Sequence, residues 1–143
     1  MGLTASWQFW ALVAAVFAAL TAIFAKVGIS EIDSDLATFI RTCVIVLVLG
    51  AILTAMGKWR APHTIPVKTW VFLTLSGLAT GASWLAYFRA LKLGDAARVA
   101  PLDKLSIVLV AIFGVLFLGE HLSVMNWFGV ALIATGAIFL AVF

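Results

Sequence analysis

Five long apolar runs, separated by four short polar breaks, take up nearly all of the 143-residue chain. Residues 7–29 form the first and give way to SEIDS, and residues 35–56 form the second, which ends at GKWRAPHT. The third, 68–91, stops at KLGDAA, the fourth, 98–118, stops at GEHLS, and 124–143 is the fifth. Each run is 20 to 24 residues long. A helix needs about 20 mostly apolar residues to cross the hydrocarbon of a bilayer, so the pattern predicts five spans of modest tilt. Transmembrane barrels are excluded, because their strands are about 10 residues long and alternate apolar with polar positions. Ser123 is placed to cap the fifth helix, and Asp35 or Ser34 the second. Short loops make consecutive helices antiparallel neighbours. The expected fold is therefore an all-α integral membrane protein, with residues 1–143 as a single transmembrane domain.

Composition agrees with the pattern. Hydrophobic residues make up 65% of the chain and charged residues 10%, too few polar side chains to cover a water-soluble domain of this size. The net charge of +3 is small and dispersed, which argues against nucleic-acid binding. Cys43 is the sole cysteine, so no intramolecular disulfide forms. His63 and His121 sit in separate loops, and nothing in the pattern calls for a metal or a cofactor. The start has no basic n-region, and its apolar stretch outruns a signal peptide. The opening MGLTAS fits a myristoylation pattern only formally, since five spans gain nothing from a weak lipid anchor.

Let side A be the face bearing the N-terminus and side B its opposite. Trp7, Trp10, Trp59, Trp70 and Trp127 all fall near side A, an aromatic belt at one interface. Basic residues are shared more evenly. Lys58, Arg60 and Lys68 belong to side A; Lys92 and Arg98 belong to side B, with Lys26 and Arg89 close enough to snorkel there. Two orientations stay open. In one the N-terminus and the GKWRAPHTIPVK loop are cytoplasmic; in the other the chain inserts both ways, which the near-even basic count favours.

Ionisable residues inside spans are costly and mark candidate functional sites. At 1.5 Å per residue, Arg41 lies about 9 Å in from side B, Asp103 about 7.5 Å and Lys104 about 9 Å. Trp84 and Tyr87 on the third helix reach about 10 Å and 6 Å from the same side. One reading is structural, with Arg41 and Asp103 neutralising each other and Lys104 snorkelling outward. The other is a solute-lining layer, because positive charge is left over after one pairing, and at that depth it wants water, lipid phosphate or an anionic solute. Pro101 favours the second reading if it frees the Ala97 carbonyl and kinks the fourth helix, since broken helices line transporter cavities. A proline in a first turn costs little, however. Gly77 and Gly81 form a GxxxG, and Gly129, Thr135 and Gly136 form a second small-residue surface; both read as helix-packing positions. Glu120 closes the fourth helix as an interfacial acid. The other four spans hold no interior carboxylate for a proton exchanger.

The stretch ALKLGDAARVAPLDKLSIVLVAIFGVLFLGEHLSVMNWFGVALIATGAIFL resembles the EamA-type half of the drug/metabolite transporter superfamily. The ALKLGDAA turn, the proline-led fourth helix, the LFLGE that ends it and the glycine-bearing fifth helix carry the likeness. FAKVGI at the end of the first helix agrees more loosely, and PLDKLS is closest to small five-span bacterial members. The resemblance implies transport of small metabolites such as amino acids, and full-length members built from two inverted five-helix repeats. This chain holds one repeat, so the resemblance implies a homodimer, antiparallel if it is to reproduce the inverted repeat. It also implies a cavity lined by the first, third and fourth helices, where the polar positions are Lys26, Thr80, Trp84, Tyr87, Asp103, Lys104 and Ser106.

The expectation is a multi-pass transporter of the bacterial inner membrane, acting as a homodimer by alternating access on anionic or amphoteric solutes. Trp84 and Tyr87 would form an aromatic wall, Arg41 and Lys104 would attract an anionic group, and Asp103 would orient them or meet an amine. The rival is a non-transporting helical protein that assembles with a partner complex. An enzyme is disfavoured because no nucleophile–base pair is visible, and a channel because no ring of like charges is present.

Overall fold

The structure is a computed structural model that describes residues 6–143, so most of the opening MGLTAS motif lies outside the described residues. In chain order it comprises α1 (Trp7–Gly28), α2 (Ser34–Ala55), a 3₁₀ turn (Pro62–Thr64), α3 (Val67–Leu93), α4 (Ala96–Asp103), α5 (Ser106–Leu118) and α6 (Val124–Val142). No strand occurs among the described residues. Five segments are long and apolar enough to cross a membrane, with α4 and α5 together (Ala96–Leu118) making the fourth. Their large side chains, such as Leu47, Leu78 and Phe117, are mostly exposed. A helix that is apolar on all faces is suited to lipid rather than to water.

Backbone groups at this depth must be satisfied internally, and the side chains follow the same rule. Thr21, Thr38, Thr42, Thr54, Thr80 and Thr135 each donate their hydroxyl to the carbonyl four residues earlier, at 2.7–2.8 Å. Ser123 caps α6, its Oγ accepting from the Asn126 N–H at 3.2 Å. The cap of α2 differs from the sequence expectation. It is Asp33, whose Oδ1 accepts from the N–H groups of Asp35 and Leu36 at 2.8 and 3.1 Å. Ser34 and Asp35 already lie in the first turn, where Ser34 Oγ donates to Asp35 Oδ1 at 3.5 Å and Asp35 pairs with Arg89.

The helices group into two compact units. One is Ala25–Lys92; the other is the described chain up to Phe24 (residues 6–24) together with Leu93–Phe143. In the first, the buried side chains are Ala25, Ile29, Ser34, Ala37, Thr38, Phe88 and Leu91, where the end of α1, the start of α2 and the end of α3 meet. In the second, α4 and α5 both pack on α6, and Ala22, Gly114 and Ala137 are buried.

The fourth span breaks close to Pro101, as the kink reading of the sequence expected. Pro101 lies inside α4, and the helix ends two residues after it, at Asp103. Lys104, Leu105, Ile107 and Val108 donate to the carbonyls of Pro101, Leu102, Lys104 and Leu105, each at 3.0 Å. These are three-residue spacings, the tighter 3₁₀ pattern, which keeps every one of those donors satisfied through the break. Pro101 supplies a carbonyl to this break, accepting from the Lys104 N–H, and having no N–H it gives the Ala97 carbonyl no helical donor.

Candidate functional site

Within the unit Ala25–Lys92, three of the expected residues come together. The Arg41 guanidinium carbon lies 3.5 Å from the centroid of the Trp84 ring, a face-on cation–π stack. Trp84 meets Tyr87 edge-on at 5.5 Å and Phe88 at 5.7 Å. The spacing explains the cluster: residues three and four apart on a helix share a face, so Trp84, Tyr87 and Phe88 form one aromatic surface of α3. Phe88 is 2% exposed and anchors that surface in the core. Arg41 stands seven residues from the start of α2, about 10 Å into the span, and is half-buried.

Nothing in its own unit neutralises Arg41. The carboxylates there are Glu31, Asp33 and Asp35, and none forms an ion pair with it. Asp33 caps α2, and Asp35 is held by both Nε and Nη2 of Arg89, at 3.0 and 2.6 Å. The guanidinium N–H groups of Arg41 make no hydrogen bond within the unit either. Stacking on an indole fixes the plane of a guanidinium and leaves its edges free to donate. The result is an oriented, two-pronged donor for a carboxylate or phosphate.

The remaining cations of this end are committed. Arg89, close enough to side B to snorkel, pairs with Asp35, which sets α2 and α3 in register: Asp35 and Arg41 ascend α2 as Arg89 and Trp84 descend α3. Lys26, expected to escape to the interface, donates its Nζ to the Leu91 carbonyl at 2.6 Å, and Lys92 Nζ binds the Ile32 carbonyl. Leu91 is in the last turn of α3, where carbonyls lack intrahelical partners and the dipole favours a cation. Thr80 lies one turn from Trp84, is exposed, and has its hydroxyl proton engaged by the Ser76 carbonyl.

In the other unit, Asp103 and Lys104 pair with each other at 3.2 Å, right at the break between α4 and α5, with Ser106 opening α5. Asp103 is half-buried, while Lys104 and Ser106 are exposed. Arg98 Nη2 donates to the Ala141 carbonyl at 3.2 Å, capping the end of α6 as Lys26 caps α3. A Cβ added at Gly77, Gly81, Gly129 or Gly136 would meet nothing within 4 Å among the described residues, so none of these glycines is held against a neighbouring helix of its own unit. Sequence reasoning missed Phe88, the Asp35–Arg89 pair and the Lys92–Ile32 bond. Only Phe88 left a signal, its four-residue spacing from Trp84.

Comparison with known proteins gives a consistent result. The chain matches the EamA-like transporter family over residues 5–142. It is 74% identical over 138 residues to an uncharacterized transporter in the cobO 3' region of a Sinorhizobium species, covering 96% of this chain and 98% of that one. It is 34% identical over 94 residues to an uncharacterized transporter of Vibrio cholerae serotype O1, covering 62% of this chain but only 30% of that protein. No solved structure matches.

Proposed function

This chain belongs to the EamA-like transporter family, and on that basis we propose that it carries small anionic or amphoteric metabolites across the bacterial inner membrane as a homodimer. The observation that carries the solute class is Arg41: a charged group about 10 Å into a span, stacked on Trp84, with no anion in its own unit to neutralise it. Charge at that depth is costly unless paired. A solute carboxylate supplies the missing partner, received by the guanidinium edges while Trp84 and Tyr87 shield its apolar part. Lys26 and Thr80 border this surface on α1 and α3. Asp103 and Lys104 are a second solute-contacting position, with Ser106 beside them. Asp103 offers a charge that suits a substrate amine, as Arg41 suits a carboxylate, and amino acids are the class to test first.

The dimer is supported by the lengths of the relatives. The Sinorhizobium transporter is matched over 98% of its length by this chain, whereas 94 aligned residues make up only 30% of the Vibrio protein, which is therefore more than twice as long. The longer protein has room for two five-helix repeats in one chain, and a second copy of a single-repeat chain would supply the other. Opposite insertion of the two copies would reproduce the inverted repeat on which alternating access is commonly built.

The test is solute-dependent melting of the purified protein in detergent, followed by uptake into proteoliposomes. A ligand that binds only the folded state, at a hundred times its Kd, adds about 2.7 kcal/mol of stability. Amino acids or organic anions are expected to give a saturable shift that Arg41→Ala abolishes. Undiminished uptake by both Arg41→Ala and Asp103→Ala would overturn the assignment and favour a helical partner in a larger complex.

A further inference from the structure

The far end of the unit Ala25–Lys92 holds a second site, built by the loop between α2 and α3. The loop starts with a tight helix stop. Gly57 takes φ +60°, the Gly57 N–H donates to the Thr54 carbonyl at 3.1 Å, and the Lys58 N–H donates to the Leu53 carbonyl at 3.0 Å. This pair of bonds is the Schellman arrangement, which reverses the chain and turns the next residues back over the helix end. Two tryptophans then clamp the loop. Trp59 Nε1 donates to Thr54 Oγ1 at 3.0 Å, and Trp70 Nε1 donates to the Pro62 carbonyl at 3.4 Å. Between them lies a cleft of about 420 Å³, with Leu53, Pro62 and Ile65 as its apolar lining and Lys58 and Arg60 as its charged groups.

The basic residues of this unit divide by what they bind. Lys26, Arg89 and Lys92 are each bonded to a protein oxygen, and Arg41 is stacked on Trp84. Lys58, Arg60 and Lys68 form no ion pair among the described residues, and the sequence has no Asp or Glu anywhere between Asp35 and Asp95. The cleft is thus a mainly apolar one that Lys58 and Arg60 border without an acidic partner, at the end of two spans, the level at which a bilayer's phosphates are expected. Its indole rings are held by bonded N–H groups, and such rings sit at headgroup level. An apolar lining beside two cations matches a molecule that is apolar at one end and anionic at the other.

We propose that this cleft binds the phosphodiester of an anionic phospholipid, with Lys58 and Arg60 on the phosphate and the acyl chains against Leu53 and Ile65. A free phosphate shares the headgroup chemistry but has nothing to place on the apolar lining. The site stands apart from the Arg41 cluster and does not depend on what is transported.

The probes are dioleoyl phosphatidylglycerol, dioleoyl phosphatidylcholine and inorganic phosphate, added to the full chain in detergent and read by native mass spectrometry and melting temperature. Phosphatidylglycerol should be retained as a discrete adduct and raise the melting temperature, where the other two do not. With each surface cation contributing on the order of 1 kcal/mol, Lys58→Gln/Arg60→Gln should cut phosphatidylglycerol affinity about 30-fold. Lys58→Arg/Arg60→Lys should keep the preference, and so should Arg98→Gln, which removes a charge elsewhere. Equal retention of both lipids, or a preference that survives Lys58→Gln/Arg60→Gln, would overturn the proposal. So would inorganic phosphate displacing phosphatidylglycerol, which would make this a free-anion site.

Discussion

The contact between Arg41 and Trp84 makes a quantitative prediction. At 3.5 Å from cation to ring centroid, the pair sits at the close end of the range in which the ring quadrupole attracts a guanidinium. Such contacts contribute about 0.5–1 kcal/mol at exposed sites and about 2 kcal/mol when desolvated. Arg41 is half-buried, so a coupling of about 1–2 kcal/mol is expected. Phe88, at 5.9 Å from the same cation, adds little. The cycle uses Arg41→Met, which keeps most of the aliphatic stem, and Trp84→Leu. Trp84→Leu alone also removes the edge contacts with Tyr87 and Phe88, and its single cost is therefore larger than the coupling. The double variant cancels that excess, since the same ring packing is lost with or without the charge. Stability is read from unfolding by sodium dodecyl sulfate in mixed micelles, followed by circular dichroism. Arg41→Lys should recover only part of the coupling, because an ammonium keeps the charge but cannot lie flat on the indole. A coupling within about 0.5 kcal/mol of zero, the usual scatter of independent sites, would refute the stack and with it the claim that Trp84 orients the guanidinium for a solute.

Two further predictions concern glycine. Gly57 and Gly119 have φ of +60° and +68° with open space around a Cβ, so Gly57→Ala and Gly119→Ala should each cost about 1–2 kcal/mol through backbone strain alone, measured by the same unfolding assay. An unchanged midpoint for both would mean these helix ends are not held in the left-handed conformation. Gly77 and Gly81 also face open space but with ordinary helical backbone. In an isolated chain, Gly77→Ala/Gly81→Ala should be neutral or stabilising, by up to about 1 kcal/mol per site. In a dimer that packs through this surface the same double variant should raise the monomer fraction in cross-linking; no change in either quantity would exclude that face as the subunit contact.

The number of spans and the kind of solvent they face were legible in the order of residues alone, because run length and all-round apolarity are local properties of a chain. Ser123 as a cap was legible too, since an acceptor three residues ahead of its N–H donor needs only local geometry. The family likeness could be read for a similar reason, being carried by contiguous motifs such as ALKLGDAA and LFLGE. Partnership was not legible. Counting residues put Arg41, Trp84 and Tyr87 at similar depths, but depth says nothing about the rotation of one helix against another. That rotation is what lays the guanidinium of Arg41 on Trp84 and gives Asp35 to Arg89. Lys26 and Arg89 looked free to snorkel because the carbonyl and carboxylate that hold them lie 65 and 54 residues away. The break in the fourth span was advertised by Pro101, but its form, a run of 3₁₀ bonds starting at the Pro101 carbonyl, came only with the structure. Local propensity fixed which segments become helices; the packing of those helices settles which cations are already occupied, and therefore which are left for a solute or a lipid.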